Sequence, residues 1–135
     1  MNDANQSSLI EDFLLIENEQ ERLGAVVDRG RRNAPFSADE RIDAHRVQGC
    51  VSQVWLICEY RDGRCYFRCD AEGPLVKGLV AFLCAYHDGV TPAGILADDT
   101  DPLVELGLLK NLSPTRQNGL AAVRAAIRSF AQAHT

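Results

Sequence analysis

Positive charge is scarce in this chain. Its 135 residues hold 14 Lys and Arg against 19 Asp and Glu, a net charge of −5. The basic footprint of a nucleic-acid binder is missing, so no nucleic-acid partner is expected. Lysine is nearly absent, with Lys77 and Lys110 standing beside 12 arginines, which reads as genomic composition bias. Long apolar runs are also lacking. The longest, Leu79–Tyr86, is far short of the ~20 residues of a membrane span, so no membrane partner is expected. "MNDANQSSLIED" offers acids and amides where a secretory signal has a positive start and an apolar core. The expected location is cytoplasmic, where cysteines stay reduced. Five cysteines are an odd count and do not complete a disulfide framework. Their intervals, C-x7-C-x6-C-x3-C-x14-C, contain no C-x2-C knuckle. The histidines (His45, His87, His134) show no ligand spacing either. A structural zinc site is therefore not expected.

What is present fits one globular domain over residues 1–135, with 46% hydrophobic and 24% charged residues. Ser8 and Glu11 form a capping-box pattern ahead of apolar residues at helical spacing (Leu9, Phe13, Ile16, Leu23, Val26, Val27), predicting one helix over 8–30. Ser37 and Glu40 suggest a short second helix, and 45–47 a short extended piece.

From Ser52 the period becomes two. "VWLICEY", "RDGR" and "CYFRCDA" predict a hairpin turning at Asp62-Gly63. That register pairs Tyr60 with Cys65, Cys58 with Phe67 and Leu56 with Cys69. The face carrying Val54, Leu56, Cys58, Tyr60, Cys65, Phe67, Cys69 and Ala71 is apolar and belongs against helices. The other, with Trp55, Glu59, Arg68 and Asp70, should be half-solvated, with Glu59 and Arg68 as diagonal partners. "GPLVKGLVAFLCAYHDG" reads as a buried helix with Pro74 in its first turn and a stripe of Leu75, Leu79, Phe82, Leu83 and Tyr86. Thr91, Asp101 and Ser113, each followed by proline, cap three further helices, the last facing inward through Leu120, Val123, Ile127 and Phe130. The fold class is α+β, a small antiparallel sheet packed by helices.

This pattern sorts the cysteines. Cys58, Cys65 and Cys69 face the core from the hairpin, and Cys84 sits mid-helix; free cysteine commonly packs as a small hydrophobe. Cys50 follows Gly49 where loop becomes strand. By spacing alone it is either an accessible nucleophile or an ordinary loop cysteine.

The string "HRVQGCVSQVWL", then "LVKGLVAFLCAYHDGVTPAGIL" and "LGLLKNLSPTRQNGL" resembles the SufE family of cysteine-desulfuration proteins, over a motif core of residues 45–130. The resemblance implies a fold shared with IscU-type scaffolds, although a third strand is not evident. It implies a sulfur acceptor that takes persulfide sulfur from a pyridoxal-phosphate cysteine desulfurase, SufS-like or CsdA-like. The acceptor stimulates that enzyme and passes the sulfur to an iron–sulfur scaffold of the SufB type. It implies no cofactor on this chain and is compatible with a homodimer. Cys50 is then the persulfide-forming nucleophile. His45, Arg46 and Arg116 are cations that could tune it, and Ser52 and Gln53 are potential donors to its sulfur; each also has an ordinary structural reading. In the free protein the Cys50 loop is expected to fold its thiol inward against the last helices. A CsdE-like carrier feeding another acceptor, a desulfurase-binding module without relay, and a cluster scaffold are the alternatives. The first helix lacks the Trp- and Tyr-rich sequence of SufE relatives.

Overall fold

Strands β1 (Val54–Arg61) and β2 (Arg64–Ala71) pair antiparallel in the predicted register, from Arg61 opposite Arg64 to Val54 opposite Ala71. The two-residue turn needs positive φ twice, and Asp62 (φ 52°) and Gly63 (φ 81°) provide it. Its twist matches that of the strands. The computed structural model describes residues 4–50 and 53–135.

The apolar face of the hairpin packs on helix α3 (Pro74–His87). Val54, Leu56, Cys65, Phe67, Cys69 and Ala71 are buried and Cys58 is half-buried, whereas Tyr60, expected on the same inward face, is exposed at the hairpin's end, where it stacks on the His134 ring at 4.7 Å. Helix α3 is buried beyond the predicted stripe, through Gly78–Cys84, Tyr86 and His87. The extra burial comes from helix α2 (Glu19–Arg31), which crosses it on the far side. Gly30 and Gly78 form that crossing. A Cβ on Gly30 would lie 2.5 Å from Gly78 Cα, and one on Gly78 would lie 2.7 Å from Val27 Cα. The two backbones touch where a side chain would otherwise hold them apart.

The single helix predicted over 8–30 is corrected to two, α1 (Ala4–Leu14) and α2. Ser8 and Glu11 lie inside α1, and the operative cap is Asn18, whose side chain accepts the Glu21 N–H at 3.0 Å. The break is held by Arg22, which is buried. Its guanidinium donates to the carbonyls of Phe13 and Ile16, at and just past the end of α1, and to Leu106 across the fold.

Ser37 and Glu40 make a single turn rather than a helix. Glu40 Oε1 accepts the Ser37 N–H at 3.1 Å, and the chain is extended again at Ile42. A 3-10 turn (Asp43–His45) follows. The predicted extended piece survives as a short bridge, with Arg46 opposite Trp55 and Val47 N–H donating to the Val54 carbonyl at 2.9 Å.

The outer sheet face is not uniformly half-solvated. Trp55 and Asp70 are buried at its base by residues 36–41. The Asp70 carboxylate accepts from Phe36 N–H, Ala71 N–H and Arg41, with Lys77 at 3.5 Å. The expected Glu59–Arg68 pair does not form. The turn brings Glu40 to Arg68 at 2.9 Å, and Glu59 takes Arg61 at 3.1 Å.

Helices α4 (Pro92–Ala97), α5 (Pro102–Glu105) and α6 (Pro114–Gln132) start at the predicted caps, Thr91, Asp101 and Ser113. Helix α6 buries Leu120, Val123 and Ile127, while Phe130 is half-buried and meets the Phe67 ring edge-on at 5.9 Å. Among the described residues no helix is long and apolar enough to cross a membrane.

Candidate functional site

The connection from Val47 into β1 turns at Gly49, whose φ of 93° few other residues adopt. A Cβ there would also press on Ala122 of α6, at 3.2 Å. The turn delivers Cys50 against α6. Its Sγ lies 3.2 Å from the Gly119 carbonyl oxygen, to which the thiol donates. A Cβ on Gly119 would lie 3.5 Å from that sulfur, in ordinary contact, and would fill the space beside the thiol.

Cys50 is half-buried, in line with the inward orientation expected from the sequence. Beside it lies a cavity of about 30 Å³, lined by Val54, Leu79, Leu120 and Val123, with Thr115 and Arg116 exposed at its edge. That volume exceeds the ~10–15 Å³ needed for one water-sized group. The walls are largely apolar, so a single extra sulfur atom suits the space better than a charged or strongly hydrated group.

Burial pushes the Cys50 thiol above its ordinary titration range, and the positive charge of Arg46 pulls it part of the way back. At rest the group is a protonated thiol. The other four cysteines line the sheet–helix core. Burial drives Cys58 up to about 11 and also raises Cys65.

The remaining predicted residues divide. Arg116 is brought to the Cys50 cavity, with its own N–H tied to the Ser113 cap. His45 is held elsewhere, its Nδ1 2.9 Å from the Glu40 carbonyl. Gln53 is exposed, and its carbonyl accepts the Glu72 N–H. Neither His45 nor Gln53 lines the cavity. Ser52 lies outside the described residues. Among those described, no three His, Cys, Asp or Glu side chains are grouped to hold a metal ion. Gly119 is the functional position that sequence reasoning missed. Its signal was a glycine inside an otherwise good helical pattern, where it costs stability without an obvious return.

Comparison with known proteins gives a consistent picture. Over 99% of the chain the fold superimposes, with a TM-score of 0.78 and 17% identity, on 98% of a hypothetical protein from Thermus thermophilus known from its solution structure. A SufE-like protein of Synechocystis (strain PCC 6803) is 34% identical over 115 residues, 85% of this chain and 72% of that one. The SufE family, described as an Fe-S metabolism associated domain, matches residues 7–131. That membership supports a role in Fe–S metabolism as a sulfur-transfer accessory protein, consistent with a cysteine desulfurase as partner. By sequence and by family match, the chain belongs to the SufE family.

Proposed function

We propose that this protein accepts sulfane sulfur from a cysteine desulfurase onto Cys50 and delivers it to an iron–sulfur scaffold complex in the cytoplasm. The observation that carries this reading is the Cys50 thiol, turned inward onto the Gly119 carbonyl beside an apolar cavity of one-atom scale. A thiol in that position can be loaded, sheltered and released.

The transfer needs no cofactor on this chain; pyridoxal phosphate belongs to the partner. Cys50 first gives up its proton. Its thiolate then attacks the terminal sulfur of the partner's persulfide. The partner's S–S bond breaks, its cysteine leaves as thiolate, and a new S–S bond forms on Cys50 with no net oxidation. Inward, the thiol is protonated and a poor nucleophile. Turning outward on the docked desulfurase removes the burial that raises its titration point, and Arg46 then favours the thiolate. Turning back puts the acquired sulfur into the apolar cavity, away from cytosolic reductants. Arg116, at the cavity edge, is positioned to act on the outward-turned sulfur.

The test is the rate of alanine release from cysteine by the desulfurase. Wild-type protein is expected to accelerate it. Cys50→Ser should bind the desulfurase with similar affinity but give no acceleration. Full stimulation by Cys50→Ser would instead identify a binding module without relay.

A further inference from the structure

The edge of β2 that faces away from β1 is only partly closed. In an antiparallel pair every second residue turns its backbone groups away from the partner strand. On β2 these are Cys65, Phe67, Cys69 and Ala71. Cys65 is fully engaged. Its N–H donates to the Val90 carbonyl at 2.9 Å, and its carbonyl accepts the Gly89 N–H at 2.7 Å. The N–H groups of Phe67 and Ala71 are capped by carboxylates, Asp88 Oδ1 and Asp70 Oδ1, each at 2.9 Å. The Cys69 N–H has no partner among the described residues, and neither have the Phe67 and Cys69 carbonyls. Cys69 is 5% exposed, and a backbone donor left open in a buried residue is rare. These open groups border a groove of about 570 Å³ between β2, α3 and the end of α2. Its α3 wall is built of small residues, Ala81, Cys84 and Ala85. The volume lies within the ~300–1,000 Å³ of ligand-sized sites.

We propose that this edge is a docking site for an extended acidic segment of a partner protein, which adds to the hairpin as a further strand. In strand addition main-chain hydrogen bonds hold the peptide, and alternate side chains enter pockets. A peptide carbonyl accepts the Cys69 N–H, and peptide N–H groups donate to the Phe67 and Cys69 carbonyls. Every second peptide side chain then points onto the small-residue wall of α3, where a branched apolar group fits, and the others point outward. The bridge at Cys65 marks one end of the added strand, because the edge is already occupied there. Charge selects an acidic occupant. Arg29 lines the groove, and Arg32 stands exposed at the end of α2. Neither has an ionic partner among the described residues, whereas Arg68 is held by Glu40. These two cations outnumber Asp88, whose Oδ1 is already engaged by the Phe67 N–H. The groove shares no lining residue with the Cys50 cavity, so the docking edge does not depend on the sulfur-transfer reading.

The test titrates two synthetic peptides, acetyl-Glu-Val-Glu-Val-Glu-amide and its lysine counterpart acetyl-Lys-Val-Lys-Val-Lys-amide, into isotope-labelled protein and follows the backbone amides by NMR. With the glutamate peptide the Cys69 amide proton is expected to move downfield and to exchange with solvent severalfold more slowly. The Arg68 amide, which points to Ile57 on β1, should stay unchanged. Methylating the peptide nitrogens one at a time should abolish binding at alternate positions only. Wild-type protein should prefer the glutamate peptide severalfold, and Arg29→Glu should remove that preference. An unchanged Cys69 amide with both peptides, equal affinity for the two, or a preference that survives in Arg29→Glu would overturn the assignment. So would protection of Cys69 that grows with protein concentration alone, since the edge would then belong to a second copy of the chain.

Discussion

The Cys50 thiol donates to the Gly119 carbonyl at 3.2 Å, joining the loop before β1 to the middle of α6. A methyl group on Gly119 would sit 3.5 Å from that sulfur, in ordinary contact. Gly119→Ala should therefore fold and, by helix propensity, gain up to ~1 kcal/mol, seen as a higher Tm. The same methyl occupies space an added sulfur would need. The loaded variant should lose its sulfur to a small-molecule reductant severalfold faster than wild type; equal lifetimes would show that the cavity does not shelter it.

Arg46 lowers the titration point of Cys50 while burial raises it. Removing the cation leaves only burial. Arg46→Gln is therefore expected to move the midpoint of thiol alkylation against pH upward, slowing labelling at neutral pH. The wild-type midpoint should already lie above the ~8.5 of a free thiol. A downward shift in the variant would mean that the Arg46 charge does not reach the sulfur.

The crossing of α2 and α3 makes a contrasting pair of glycines. Gly78→Ala drives a methyl toward Val27 Cα at 2.7 Å, and overpacking of this kind costs about 1–3 kcal/mol. Gly24 lies on the exposed side of α2 with nothing within 4 Å of an added Cβ. Gly24→Ala should be neutral or stabilising in denaturant unfolding. Equal effects of the two substitutions would contradict the close approach.

Asp70 is buried with a lowered titration point. Burial alone would raise it, but the Phe36 N–H, Arg41, the Ala71 N–H and Lys77 outweigh that. A carboxylate lowered on folding adds stability above its unfolded value near ~3.9, and that stability drains away as pH falls through the folded value. Thermal stability should therefore decline in acid below about pH 4–5. Asp70→Asn should lose on the order of 3 kcal/mol at neutral pH and show a flatter acid limb. An unchanged acid limb would remove Asp70 as its source.

These expectations show what local sequence can and cannot specify. The hairpin register and the three capped helices follow from period-two patterning, Asp62-Gly63, and Thr91, Asp101 and Ser113, all decided within a few residues. The break between α1 and α2 was hidden because Leu14, Leu15 and Ile16 continue an apolar run, while the arginine that secures the break also reaches Leu106, 84 residues away. Asp70 and Glu40 took partners brought from the 36–41 segment, which no strand pattern can foresee. Cys50 stood out through its motif. Its acceptor, Gly119, lies 69 residues later on α6 and became visible only in three dimensions.

The central claim is most directly tested by incubating the protein with a cysteine desulfurase and free cysteine, alkylating, and mapping the product by peptide mass. The account predicts one added sulfur atom, located on the peptide containing Cys50, and none on the peptides carrying Cys58, Cys65, Cys69 or Cys84. Sulfur mapped to any of those four, or no uptake by a protein that binds the desulfurase, would contradict it.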